Sequence, residues 1–343
     1  MGSRKLVLRA AVIAALVMAM MSMFVTGASA TTPSPTIFTA PGPGGGPNVR
    51  DFDVHGSGPF SSYNAYGGGF SGGVFVAAGD VDGDGFDEFI TGPGAGGGPH
   101  VKAENPVHGG LFHSFLAYDS GWRGGVTVAS GDVNNDGHDD IITGVGPGGG
   151  AHVKVFSGTD LSELHNFFAY DPGWRGGLFV ASGDVNGDGN DDIITGPGAG
   201  GGPHVKIFSG ADGSLINNFF AYDAGWSGGV HVAAGDVNGD GKADVITGPG
   251  PGGGPHVRIF RNGDGGVVLH NFFVYDPWFT GGVWVASVDK NADAKDELIV
   301  GAGPGGGPNV RVLNLTGGVT TVATFFAYDP WFTGGVRVSG AMS

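Results

Sequence analysis

Apolar residues fall in short runs along this chain, and glycine, proline, asparagine or aspartate closes each run. LFVAS (178–182), DIITG (192–196), HVKIF (204–208) and NNFFAYD (217–223) are four such runs in succession. Runs of this length, rich in Val, Ile and Phe and bounded by turn formers, predict β-strands. No helical periodicity competes with that reading.

The four runs belong to a longer phrase that recurs. Its Gly-Gly pair begins at 72, 124, 176, 228, 281 and 334. Self-similarity at about 52 residues signals a repeat architecture. Five units are whole: 72–123, 124–175, 176–227, 228–280 and 281–333. Residues 31–71 match the middle and end of a unit, and 334–343 match its start. The two fragments together supply one more unit. A ring needs such complementary ends, whereas a linear stack does not. Four short antiparallel strands per unit predict a propeller blade. The expected fold is all-β: a six-bladed β-propeller of four-stranded antiparallel blades, closed by N- and C-terminal fragments that share one blade. A calcium β-helix is excluded by period, because its aspartates recur every nine residues or so.

Residues 1–30 stand apart. Arg4, Lys5 and Arg9 precede an apolar stretch, and Ala28-Ser29-Ala30 is a small-residue cleavage signal. The segment reads as a secretory signal peptide, so 31–343 is the expected single propeller domain. The expected location is secreted or cell-surface associated, with no membrane contact after cleavage. Composition then makes sense. Glycine numbers 73 of 343 residues, yet 40% of the chain is hydrophobic, too much for disorder. There is no cysteine, hence no disulfide and no thiolate metal site. Losing three basic residues with the signal takes the net charge from −16 to −19. Such a chain is a poor nucleic-acid binder. A monomer is expected.

The acidic residues are concentrated. Between the first and second strands of each whole unit lies a loop of pattern D-x-[DN]-x-D-G-x-x-[DE]. The candidate ligands are Asp80, Asp82, Asp84, Phe86 and Glu88; Asp132, Asn134, Asp136, His138 and Asp140; and Asp184, Asn186, Asp188, Asn190 and Asp192. Asp236, Asn238, Asp240, Lys242 and Asp244 follow, then Asp289, Asn291, Asp293, Lys295 and Glu297. Calcium takes six to eight oxygens. Positions 1, 3 and 5 offer side-chain oxygens from one tight turn, position 7 its backbone carbonyl, and position 9 a closing carboxylate. Twenty of the 32 acidic residues sit in these loops, a repulsive arrangement unless a cation neutralises it. Up to five calcium ions are expected, one per whole unit. The fifth site is weakest, because Ala294 stands where the others have the turn glycine.

The VA-x-GD-x-[DN]-x-DG-xx-[DE] core, followed by glycine-proline turns such as Thr195-Gly196-Pro197-Gly198, resembles the FG-GAP and VCBS repeats of calcium-loop β-propellers, the integrin α-subunit head among them. The resemblance covers residues 31–343. It implies calcium in hairpins at one end, ligands bound at the other, and no catalysis by the repeats. The Phe-Gly of the family name is replaced here by Trp or Phe, one residue and Gly-Gly, as at Trp174-Arg175-Gly176-Gly177.

Antiparallel order puts all acidic loops on one face. The GPG-x-GGG loops and the Tyr-Asp-x-x-Trp segments then share the opposite face. That face repeats an aromatic (Phe70, Trp122, Trp174, Trp226, Phe279 and Phe332) and, after the GGG turn, His100, His152, His204 and His256, with Asn48 and Asn309 in the remaining units. With Arg123 and Arg175 these Trp and His residues form a candidate ligand site for an extracellular glycan or protein. The same positions also suit inter-blade packing, hydrogen-bonded turns, and an inter-blade ion pair between the repeated Lys or Arg and the Asp of Tyr-Asp.

Three functions compete. A secreted, calcium-binding, non-catalytic binding or adhesion module fits best. A structural surface scaffold without a small ligand is the second. A polysaccharide hydrolase or lyase is the third, and it needs a symmetry-breaking acid pair. Only four glutamates exist, two of them in the acidic loops, and no G-x-S-x-G or H-E-x-x-H occurs.

Overall fold

The computed structural model describes residues 34–106 and 109–342. The signal segment and cleavage site lie outside the described residues. Six four-stranded antiparallel sheets follow one another, five of them taking their strands in sequence order from the centre outwards. In the third blade the strands are Leu178–Gly183, Asp192–Pro197, His204–Phe208 and Leu215–Phe220. Each inner strand packs against the inner strands of both neighbours, so the six line a central channel. The last sheet is composite: Val336–Met342 is its inner strand and pairs with Pro35–Pro41, from Pro35 opposite Met342 to Pro41 opposite Val336. The ring is closed as the fragment arithmetic requires.

Burial grades outwards along each blade. The second strand is buried at every position, Asp192–Pro197 for example, because neighbouring blades cover both its faces. The third strand alternates, and the outer strand is mostly exposed. The core therefore lies between blades. Ala181, Ile194, Val205 and Ile207 of the third blade pack with Val230, Val232, Val245 and Phe260 of the fourth. Phe38 stacks on Phe89 with ring centroids 3.7 Å apart, which joins the composite blade to the first whole one.

One boundary differs from expectation. The fourth strand of the third blade ends at Phe220, and Ala221-Tyr222-Asp223 leaves the sheet. Asp223 Oδ1 accepts from Gly225 N at 2.8 Å, closing a turn, while Tyr222 crosses to the next blade.

Candidate metal loops and ligand face

Each acidic loop is organised by its first aspartate. Asp80 Oδ1 accepts from Gly83 N at 2.7 Å and Asp84 N at 3.0 Å, and Oδ2 accepts from Gly85 N at 2.8 Å. Asp184 and Asp236 repeat all three bonds. Asp132 and Asp289 repeat the last two. Position 5 then accepts from the amide of position 7, as in Asp84 Oδ1 with Phe86 N at 2.9 Å. The equivalent bonds reach His138, Asn190, Lys242 and Lys295. Position 9 opens the second strand, is buried, and in four loops accepts from the amide of position 2, while Asp244 accepts from Asn262 N at 2.9 Å. Glu88, Asp140, Asp192, Asp244 and Glu297 all stand there, at most 3% exposed.

Carboxylate oxygens of Asp80, Asp82 and Glu88 lie within 4.8 Å of one another. Burial, then the charges of Asp82, Asp84 and Asp80, pushes Glu88 up to about 8. Burial is also the leading cause at Asp140, Asp192 and Asp244, held at about 6, 7 and 6. A divalent cation would reverse these shifts, and an all-oxygen donor set fits a hard one. In the third and fourth loops Asn186 Nδ2 donates to Asp188 Oδ2 at 2.9 Å, and Asn238 Nδ2 to Asp244 Oδ2 at 2.8 Å. Rotating either amide presents an oxygen to the same point.

The fifth loop differs. Ala294 holds φ +62°, in the region its four glycine counterparts occupy at +81° to +90°. In addition, Lys290 fills the second position, which is valine in the other loops. Its Nζ lies 2.9 Å from Glu297 Oε1, both side chains largely buried. The closing acid of this loop already has a cation.

Position 8, unassigned in the sequence pattern, stitches the loops together. The amide of Asp139 donates to Asp80 O, Asp191 to Asp132 O, and Asp296 to Asp236 O, each at 2.9 Å. Burial pushes Asp139 up to about 8, and Asp87, Asp191 and Asp296 to about 6.

On the opposite face the repeated aromatics are packed. Trp122 and Trp174 are half-buried, and their Nε1 donates to Gly125 O at 2.7 Å and Gly177 O at 2.8 Å. A Cβ on Gly124 would sit 1.9 Å from the Trp122 ring, so the Gly-Gly pair is the seat of the indole. Trp226 repeats this with Gly229 O at 3.2 Å. Arg123 and Arg175 are exposed but fold back onto their own turns, donating to Ser120 O and Pro172 O. His152, His204 and His256 stack on Phe168, Phe220 and Phe273 with centroids 4.7 Å apart, and Nε2 of each meets an outer-strand asparagine. His100 meets Ser114 Oγ at 2.8 Å.

The inter-blade ion pair expected between the repeated Lys or Arg and Asp is not formed. Lys206 Nζ reaches Ala169 O of the preceding blade at 2.8 Å, and Arg50, Arg258 and Arg311 reach Ala327 O, Ala221 O and Val274 O. The aspartate caps its own turn instead, as Asp119 does for Gly121 N. A carbonyl two strands away takes the cation because the Asp carboxylate is already committed locally.

Two sets of residues escaped the sequence reading. One is the tyrosine of Tyr-Asp, Tyr66 included. Its hydroxyl enters the next blade and donates to carbonyls of the second and third strands, Thr143 O and His152 O for Tyr118 at 3.1 and 3.0 Å. The other is the variable residue of GGV-x-VA, which lines the channel: Phe75, Thr127, Phe179, His231, Trp284 and Arg337. A signal existed, since this position takes five residue types across six blades while its neighbours hardly change.

Known proteins bear on these repeats. Residues 184–247 match the FG-GAP-like repeat, and 124–159 and 228–270 match the FG-GAP repeat. Integrin alpha-5 of Xenopus laevis is 34% identical over 82 residues, 23% of this chain. Integrin alpha-8 of Gallus gallus is 33% identical over 81 residues. The match spans only 8% of the length of either relative. Among solved structures, the Dos1 propeller aligns with TM-score 0.47 and 12% identity over 81% of this chain and 66% of that one. The matched segments are FG-GAP repeats of a β-propeller, and the unmatched whole repeats share their strand order and acidic-loop motif.

Proposed function

We propose that this propeller is an extracellular, calcium-stabilised, non-catalytic binding module whose glycan or protein ligand docks on the face opposite the acidic loops. One observation carries the reading. Trp278 and Trp331 are each 90% exposed, at equivalent turns of two adjacent blades. They occupy the place of Gly121, Gly173 and Gly225 in the other turns, and the turn is the same: Trp278 N donates to Asp276 Oδ1 at 2.9 Å, as Gly121 N does to Asp119 Oδ1 at 2.8 Å. Turn geometry therefore does not require tryptophan. Two bare indoles offer flat apolar faces, with an N–H at the edge, to a sugar ring or an aromatic-poor protein patch.

Calcium is supported by the all-oxygen loops, and an extracellular location by the leader-like segment at 1–30. Among the described residues, no helix is long and apolar enough to cross a membrane. The glutamates outside the acidic loops are engaged: Glu104 with Lys102 at 3.4 Å and Glu163 with Lys154 at 2.7 Å. Neither forms the acid pair a glycosidase needs. The test is a glycan and matrix-protein array probed with the wild type and with the Trp278→Ala/Trp331→Ala double variant, at millimolar calcium. The wild type should bind at least one ligand class, and the double variant should lose about tenfold or more in affinity. A silent wild type, or a double variant that binds equally, would sink the reading.

A further inference from the structure

The blades are near copies except at the channel waist. There the second residue of each inner strand is Phe75, Thr127, Phe179, His231, Trp284 or Arg337, five residue types in six directions. Above the waist, on the face of the GPG-x-GGG loops, the channel widens into a funnel of about 600 Å³. Pro43, Ala95, Pro147, Ala199, Pro251 and Pro304 ring its mouth, and the waist residues form its floor. That volume lies in the range of small-ligand sites, about 300–1,000 Å³.

The floor holds unsatisfied polar groups. Arg337 is 5% exposed, and its Nε and Nη1 have no protein partner. It joins none of the ion pairs among the described residues. Its guanidinium carbon sits 3.6 Å from the centre of the Phe75 ring. Stacking uses the face of a guanidinium and leaves the in-plane N–H fork free, the geometry that grips a carboxylate in two places. Trp284 Nε1 is a second buried donor without a partner. His231, 2% exposed, stacks on Trp284 at 3.6 Å. Its Nδ1 lies 2.7 Å from Val283 O, which can only accept, so Nδ1 carries the proton. Nε2 is then left as an unpartnered acceptor. The floor thus offers a cationic fork, a neutral donor and one acceptor against an aromatic wall.

A buried charge is costly unless paired, and the fold supplies no anion here. Burial drags Arg337 down to about 9. The acidic loops are on the far face, so they do not fill the role.

We propose that the funnel binds a small hydroxylated carboxylate, such as a sugar acid. Arg337 holds the carboxylate, and a ligand hydroxyl donates to His231 Nε2. This site stands independently of the tryptophan turns, since neither Trp278 nor Trp331 lines the funnel. It would give the protein a small-molecule specificity drawn from residues that differ from blade to blade.

The test is calorimetric titration of the full chain with sodium D-glucuronate and sodium D-galacturonate, with D-glucose as the uncharged comparison, each up to about 10 mM. At least one uronate should bind, and glucose should bind about tenfold more weakly or not at all. Arg337→Met should weaken uronate binding about tenfold or more, and Arg337→Lys by less, because a point charge replaces the fork. If Arg337→Met fails to fold, Thr127→Trp fills the waist from another blade without altering charge, and it too should abolish binding. The Trp278→Ala/Trp331→Ala variant should bind uronate as the wild type does, which separates this proposal from the rim reading. Absence of binding by both uronates, equal binding of glucose, or unchanged binding by a folded Arg337→Met or Thr127→Trp variant would overturn it.

Discussion

Tyr222 buries its hydroxyl in the next blade, where it donates to His256 O at 2.7 Å and Thr247 O at 3.0 Å. Tyr66, Tyr118, Tyr170, Tyr275 and Tyr328 do the same, and Tyr328 reaches Thr39 O and Asn48 O across the seam between the chain's two ends. Burial pushes every one of these phenols above its ordinary value, so none ionises in the working range. Tyr222→Phe leaves two buried carbonyls without their donor and should cost about 1–2 kcal/mol, read as a lower urea midpoint with an unchanged slope. A midpoint within error of the wild type would show that the carbonyls find other donors. The recurrence of Tyr-Asp was plain in the sequence. Its role was not, because the accepting carbonyls lie 25 and 34 residues further on, across a gap between blades.

The turn within each acidic loop is nearly complete in the sequence, because the bonds made by its first and fifth residues are local. Spacing alone gave the first, third, fifth and ninth positions, and in the first loop carboxylate oxygens of Asp80, Asp82 and Glu88 lie within 4.8 Å of one another. What spacing could not show is competition for the closing acid. Ala294 marks the fifth loop in the sequence, but it is the ammonium of Lys290 that lies against Glu297. Lys290→Val restores the residue of the other loops and frees that carboxylate. Calcium titration followed by calorimetry should then show tighter binding at the fifth loop, by about tenfold for each 1.4 kcal/mol of pairing removed. An identical isotherm would mean that Lys290 moves aside at no cost. The outer strand was legible in kind but not in its end. FFAYD is apolar enough to continue a strand, and only the turn-capping bond of Asp223 and the crossing of Tyr222 stop it at Phe220.

For the molecule as a whole, repeat arithmetic sufficed to count the blades, order their strands and place the acidic loops together. Periodicity is blind to whatever breaks it. The channel waist, the two exposed tryptophans and Lys290 are all departures from the repeat, and they are where the chemistry differs from blade to blade. Calcium should act on the ring collectively. At roughly 1 mM calcium, sites with dissociation constants of about 10⁻⁴–10⁻³ M add about 0.4–1.4 kcal/mol each, or roughly 2–7 for five. Excess chelator should therefore lower the melting temperature, and added calcium should restore it. A melting curve indifferent to chelator would remove calcium from the account of stability.

The seam has a consequence in time. Pro35–Pro41 is the first strand of the ring to be synthesised, and its partner Val336–Met342 is the last. At about 5–20 residues per second, the early strand waits roughly 15–60 s with its inner edge unpaired. Through that interval Pro35–Pro41 presents an open hydrogen-bonding edge, the kind of surface that invites pairing with a neighbouring chain. The final strand is thus a latch. Until it snaps home Pro35–Pro41 is an adhesive edge, and afterwards that edge is paired along its whole length.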